Sequence, residues 1–302
     1  MQTILEISVP VLTFALLAGV GLDLTSNDFR RVRRQPALVL TGLIGPLLLL
    51  PPIAVCLTWA FQPGPHVTAG LLLVAACPIG GISNTYSFMG RASTALSVTL
   101  TGLSCLLAGV TMPAVGWGLE LALARPLELT VPITILIVQI FLMFTLPVGL
   151  GMWVRRRWPD WAEIFRPVAE RLAFAGVGLM LILIVLDDPQ AFLGDLPTTV
   201  PLAAAFIVCS AAAGWMAAAI VTDDPRDRFT VAAEFGTRNL GVAMAVAVTM
   251  LGRVEFARFA YTYFLTELPL MLVAIVFFRS RNRTNPKFAP STPDMSIGSS
   301  TL

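Results

Sequence analysis

Oxygen-bearing side chains sit where an apolar chain has least use for them. Ser83 and Asn84 close the run Ala76-Cys-Pro-Ile-Gly-Gly-Ile-Ser-Asn84. A hydroxyl and an amide oxygen beside unwound backbone suit a hard cation, which prefers oxygen ligands. Downstream, Ser97, Thr101 and Ser104 recur at i, i+4 and i+7, which places them on one helical stripe. A polar stripe gains nothing from lipid, so it should face the interrupted run. A second use stays open: such hydroxyls also bond carbonyls one turn back or join helices.

A matching interruption lies in the second half, at Ala233-Glu-Phe-Gly-Thr-Arg-Asn-Leu-Gly241. Glu234 is an acid in the middle of an apolar stretch, and burying one there costs roughly 2.5–3.5 kcal/mol on insertion scales. Arg238 follows four residues later, so a mutually neutralised i,i+4 pair is the structural alternative to a functional acid. Asn239 and Gly241 mirror Asn84 and the glycines of the first run. Glu267 lies midway along the last apolar stretch, before Pro269, where Arg238, Arg258 or a water-filled crevice would receive it. Asp23 and Asp28 fall at the end of the first stretch, where a solvated role is expected.

These residues must be held by membrane helices. Of 302 residues, 56% are hydrophobic and 13% charged, against about 25% charged in a soluble domain. Mean hydropathy is +0.81. Net charge is only +2, with no basic patch to suggest nucleic acid. The four cysteines all lie in apolar stretches, which is not a disulfide framework. The lone His66 is expected in a loop, and no nucleophile–base pair or phosphate loop suggests an enzyme. Glu6 interrupts the first apolar run and no basic segment precedes it, so no cleaved leader is expected.

A crossing helix needs about 20 residues. Nine candidates follow, near 4–22, 36–61, 67–89, 94–119, 129–154, 166–186, 198–221, 228–251 and 258–278, the third and eighth being the interrupted ones. Arginines follow every odd-numbered stretch: Arg30, Arg31, Arg33 and Arg34; Arg91; Arg155, Arg156 and Arg157; Arg226 and Arg228; Arg279, Arg281 and Arg283. The positive-inside rule then predicts an outer N-terminus and a cytoplasmic C-terminus, in the plasma membrane. Residues 281–302 are polar and are expected to form a disordered cytoplasmic tail. Stretches 1–4 would mirror 6–9 as an inverted repeat, which puts a binding site at the midplane between two discontinuous helices.

Three stretches together resemble the bile acid:sodium symporter family. They are Gly21-Leu-Asp-Leu-Thr-Ser-Asn-Asp-Phe-Arg30; Cys77 through Asn84 with Ala95-Leu-Ser-Val98; and Glu234-Phe-Gly-Thr-Arg-Asn239. The resemblance implies an all-α transporter of two parts around two crossed, broken helices. The panel would be 4–22, 129–154 and 166–186, and the core 36–119 and 198–278. Ten-span bacterial relatives suggest that the first span is missing here. The first sodium site would be Ser83, Asn84, Ser97, Thr101 and Glu234, all with suitable oxygens. The second site departs from the family. Where the family has a glutamine, this chain reads Gly45-Pro46-Leu-Leu-Leu-Leu-Pro51, and its other glutamine is Arg238. Proline offers no ligand atom and a guanidinium only donates.

The expected function is secondary transport of a small organic anion by alternating access, coupled to at most one sodium. Arg238 would replace the second ion beside Glu234. Gly81, Arg238, Asn239 and Glu267 would meet the substrate, and no cofactor other than sodium is expected. A monomer is expected, with a homodimer as the other assembly. Two other readings are an arsenite or oxyanion exporter using Cys77 and Glu234, and a non-transporting receptor of the same fold.

Overall fold

Proline marks where the helices begin. Pro36, Pro65, Pro159, Pro189 and Pro225 each occupy the first turn of a helix, where the missing N–H has no intrahelical partner to lose. In this computed structural model, residues 2–24, 30, 33–123, 138 and 141–282 are described. The helices are α1 Gln2–Asp23, α2 Pro36–Phe61, α3 Pro65–Ala76, α4 Ile82–Met89 and α5 Thr94–Leu123. A π turn, Phe141–Thr145, leads into α6 Leu146–Arg157. Then come α7 Pro159–Asp187, α8 Pro189–Val221, α9 Pro225–Gly236, α10 Leu240–Ala245 with a π turn Val246–Met250, and α11 Val254–Arg281.

Among the described residues, four helical segments are long and apolar enough to cross a membrane: Pro36–Phe61, Thr94–Leu119, Pro189–Val221 and Val254–Arg281. At 1.5 Å per residue even the shortest is roughly 39 Å long, more than the hydrocarbon thickness. Shorter apolar helical segments are Val11–Asp23, Pro65–Ala76 and Leu240–Met250. Apolar side chains remain exposed along single faces, such as Leu40, Ile44 and Leu48 on α2 and Val273, Val276 and Phe277 on α11. Lipid is the solvent such faces require. The helices α7 and α8 begin earlier than expected, at Pro159 and Pro189 rather than near 166 and 198. The proline starts lie in polar sequence that a hydropathy window passes over. Asp28, most of 124–140 (so the first part of the stretch expected at 129–154) and the tail from 283 lie outside the described residues.

Both interruptions are real breaks. Pro78 disfavours helix for the residue before it, and Cys77 is extended at φ −65°, ψ 153°, ending α3. The second break begins at Thr237, extended at φ −116°, ψ 119°. The two breaks then pair with each other. Ile79 and Arg238 form an isolated antiparallel bridge, Asn239 N donates to the Pro78 carbonyl at 2.8 Å and Gly80 N to the Thr237 carbonyl at 3.4 Å. Backbone groups freed by each break are therefore satisfied by the other, as a membrane interior demands. Gly80 permits the approach: a Cβ there would lie 2.5 Å from the Arg238 carbonyl oxygen.

The remaining helices frame this crossing. α5 packs on α3, α4 and α9, and α11 packs on α3, α8 and α10. α1 lies against α6 and α7 and also reaches α10. Gly21 and Gly151 let α1 and α6 touch, since a Cβ on either would meet backbone at about 2.1–2.2 Å. Small residues at such contacts are the usual means of close helix approach in lipid. His66 is not in a loop but in the first turn of α3, 3.1 Å from Asp195 of α8.

Candidate functional site

The hydroxyl stripe of α5 faces the first break. Ser104 Oγ accepts from Ile79 N at 3.0 Å, and the Cys105 thiol donates to the Ile79 carbonyl at 3.6 Å. One and two turns earlier the same face meets Glu234. Ser97 Oγ donates to Glu234 Oε1, and Thr101 Oγ1 lies 3.1 Å from Glu234 Oε2. Asn84 Oδ1 lies 2.8 Å from Ser97 Oγ and 3.4 Å from Thr101 Oγ1. Ser83 Oγ is 3.2 Å from Thr101 Oγ1 and gives its proton to the Gly80 carbonyl at 2.9 Å.

Five residues from α4, α5 and α9 thus converge, and Ser83, Ser97, Thr101 and Glu234 are buried to 1% exposure or less. The cluster gathers six side-chain oxygens around three hydroxyl protons. Lone pairs outnumber donors, and an ionised acid lies among them. That composition is suited to a small hard cation.

Arg238 does not complete a helical pair with Glu234. α9 ends at Gly236 and Thr237 is extended, so the i,i+4 geometry is never formed. The guanidinium instead donates from Nη2 to the Cys77 carbonyl, at the C-terminus of α3. A cation there meets the negative end of the helix dipole. Among the described residues Arg238 makes no ion pair with either acid, and its Nε and Nη1 have no hydrogen-bond partner. Pro46 is buried in α2, next to Gly45, where a Cβ would strike the Phe235 ring at 2.6 Å. The proline turn therefore sits on the helix that abuts the residue after Glu234.

Glu267 pairs with neither arginine proposed for it. Arg258 Nη1 goes to Asp195 at 3.8 Å, because α8 and His66 bring that acid to the same helix end. Glu267 is fully buried. The hydroxyls of Tyr86 and Thr237 approach its carboxylate without closing an ordinary hydrogen bond. Of the other residues expected at a substrate, Asn239 is buried, and its Oδ1 caps Val242 N at 3.2 Å. Gly81 is half-buried at the start of α4 and faces α1, with Val20 Cγ2 4.0 Å from where its Cβ would be. Leu16 stands one turn from Val20, 3.5 Å from the corresponding point of Gly241, and Thr13 Oγ1 donates to the Gly241 carbonyl at 3.3 Å. α1 therefore covers both breaks.

Sequence reasoning missed Tyr86, Thr237, Thr13 and Tyr263, whose hydroxyl donates to the Gly236 carbonyl at 2.6 Å. Tyr263 and Glu267 stand i,i+4 on α11, a spacing that put both on one face.

Known proteins resemble the chain as follows. A family model described as the sodium bile acid symporter family matches residues 9–193. Over 98 residues the chain is 36% identical to an uncharacterized sodium-dependent transporter YocS of Bacillus subtilis (strain 168), covering 32% of this chain and 30% of that one. It is 26% identical over 236 residues to the probable sodium/metabolite cotransporter BASS1, chloroplastic, of Arabidopsis thaliana, covering 78% and 57%. It is 27% identical over 233 residues to the sodium/bile acid cotransporter 4 of Homo sapiens, covering 76% and 53%. The match thus spans 30% to 57% of these relatives' own lengths. All three are named as transporters or cotransporters, not as enzymes.

Proposed function

This chain belongs to the sodium bile acid symporter family, and from that premise we propose that it is a secondary carrier of a small organic anion, driven by one sodium ion. The ion sits among Ser83, Asn84, Ser97, Thr101 and Glu234. One observation carries this reading: five oxygen-bearing side chains from three helices meet at the paired breaks, with more lone pairs than protons. Arg238 stands in for a second sodium as a built-in cation. Its burial and its bond to the Cys77 carbonyl support a fixed role over a substrate-binding one.

The anion enters between α1 and the crossing, beside Gly81. The panel is α1, the stretch ending at α6, and α7; the core is the rest. Their relative motion exposes the site alternately to each side. The protein crosses the plasma membrane nine times as a monomer, with the N-terminus outside. Cys77 contributes its carbonyl to Arg238, and its thiol is buried. A thiol-dependent exporter therefore has no support in the site, and Cys77→Ser is expected to leave transport intact.

Sodium-22 binding to the purified protein tests the site. The wild type should bind one ion per chain. Ser97→Ala should weaken binding roughly tenfold, the scale of one buried polar contact, and Glu234→Gln should abolish it. Unchanged binding in Glu234→Gln refutes the site, and two ions per chain refutes the role given to Arg238.

A further inference from the structure

Outside the Glu234 cluster, the buried polar atoms of Glu267, Tyr86 and Thr237 close no ordinary hydrogen bond. Both carboxylate oxygens of Glu267 lack a partner, as do the hydroxyls of Tyr86 and Thr237. All three residues are 2% exposed or less, and both hydroxyls face the carboxylate. They come from three elements: Glu267 from α11, Tyr86 from α4, and Thr237 from the second break. Buried polar atoms of this kind are rare and need a partner. We propose that Glu267, with Tyr86 and Thr237, is a second cation position that takes a proton and carries it with the sodium held at Glu234.

Charge balance motivates a second cation. Glu234, Glu267 and Arg238 together bring one net negative charge to the crossing. One sodium neutralises it, and a monovalent anion then restores it. The loaded carrier is neutral only when another cation binds. The ligand set selects a proton. Hard metal ions take about six or more oxygens, and the Glu234 cluster draws on five residues. Here only three side chains face inward. The nearby Gly236 carbonyl is already taken by the Tyr263 hydroxyl at 2.6 Å.

The titratable and charged groups facing Glu267 are Tyr86 of α4, Arg238 of the second break and Tyr263 of its own helix. Glu234 of α9 is turned to Ser97. Asp195 of α8 and His66 of α3 gather at Arg258, more than two turns away along α11. Tyr86 lies two residues after Asn84, so α4 links the proton position to the sodium cluster.

The proposal rests on the carrier reading, but its test observes the carboxyl group itself. Infrared spectra of the purified full chain are recorded in sodium from neutral to alkaline pH, where exposed carboxyls with pKa near 4 are ionised. The wild type should show a protonated-carboxyl stretch that vanishes in Glu267→Gln, persists in Glu234→Gln and shifts in Tyr86→Phe. Sodium-22 binding, measured in parallel, should be lost in Glu234→Gln and kept in Glu267→Gln. The proposal is overturned if the wild type shows no such band, if Glu267→Gln leaves it unchanged, or if Glu267→Gln loses sodium. If Glu267→Gln does not fold, an unshifted band in Tyr86→Phe overturns it. Sodium binding that survives Glu234→Gln refutes the sodium reading instead, so the two failures are distinct.

Discussion

Arg238 is buried at the crossing, and its guanidinium can only donate. Its guanidinium fills the space at the end of α3 by bonding the Cys77 carbonyl. Pro46, buried in α2, has no ligand atom to offer; on the reading proposed above, these two residues stand where a second ion would need ligands. Restoring only one of the two should therefore do little. The double variant Pro46→Gln with Arg238→Gln is expected to bind two sodium ions per chain where the wild type binds one, with Arg238→Gln alone near one. A double variant that still binds one ion would show that no second position exists beside Glu234. The acids were legible as unusual from sequence because each interrupts an apolar run. Their charge partners were not. The i,i+4 pairing of Glu234 with Arg238, the structural alternative, is cancelled by the break at Thr237. Of the partners open to Glu267, Arg258 is taken by Asp195, from a distant helix.

Each broken helix exists because its partner is broken too. Pro78 and the paired glycines stop α3; the second break then supplies the hydrogen bonds that the first gave up. Gly80 is the contact point, and its lack of a Cβ sets the spacing. Gly80→Ala would place a carbon 2.5 Å from the Arg238 carbonyl, with backbone on both sides and no flexible side chain to yield. A small-to-large change of this kind costs roughly 1–3 kcal/mol. The variant should unfold at a lower temperature than wild type in the same detergent and bind sodium more weakly, because the clash displaces Ser83 and Asn84. Wild-type values for both would mean that the breaks separate freely. The breaks themselves were readable, since proline and glycine act locally. The helix starts at Pro159 and Pro189 lie ahead of the apolar stretches, where hydropathy carries no signal and only the prolines mark them. The covering role of α1 was beyond reach: it depends on Gly21 meeting Gly151 across more than a hundred residues.

At the scale of the molecule, α1 is the element that must move if the site is to open. It packs on α6 and α7, yet it also lies over both breaks through Thr13, Leu16 and Val20. Those contacts with the crossing are few and mostly apolar, whereas the α1–α6 contact is a close glycine-to-glycine fit. The proposed motion of panel against core would run along this boundary, as packed helices slide in a shear. Val20 and Gly81 face each other across it, with Val20 Cγ2 4.0 Å from a Cβ at position 81. Cysteines at both positions, with the exposed Cys56 and Cys209 replaced by serine, should therefore form a disulfide under mild oxidation. Cross-linked protein in liposomes should lose uptake of an organic anion that the wild type takes up under a sodium gradient, and reduction should restore the rate. Sodium-22 binding should survive the cross-link, because Glu234 and its hydroxyls lie within the crossing rather than across the boundary. Uptake that continues in fully cross-linked protein would mean that α1 and the crossing travel together, and the moving boundary would then have to be sought elsewhere.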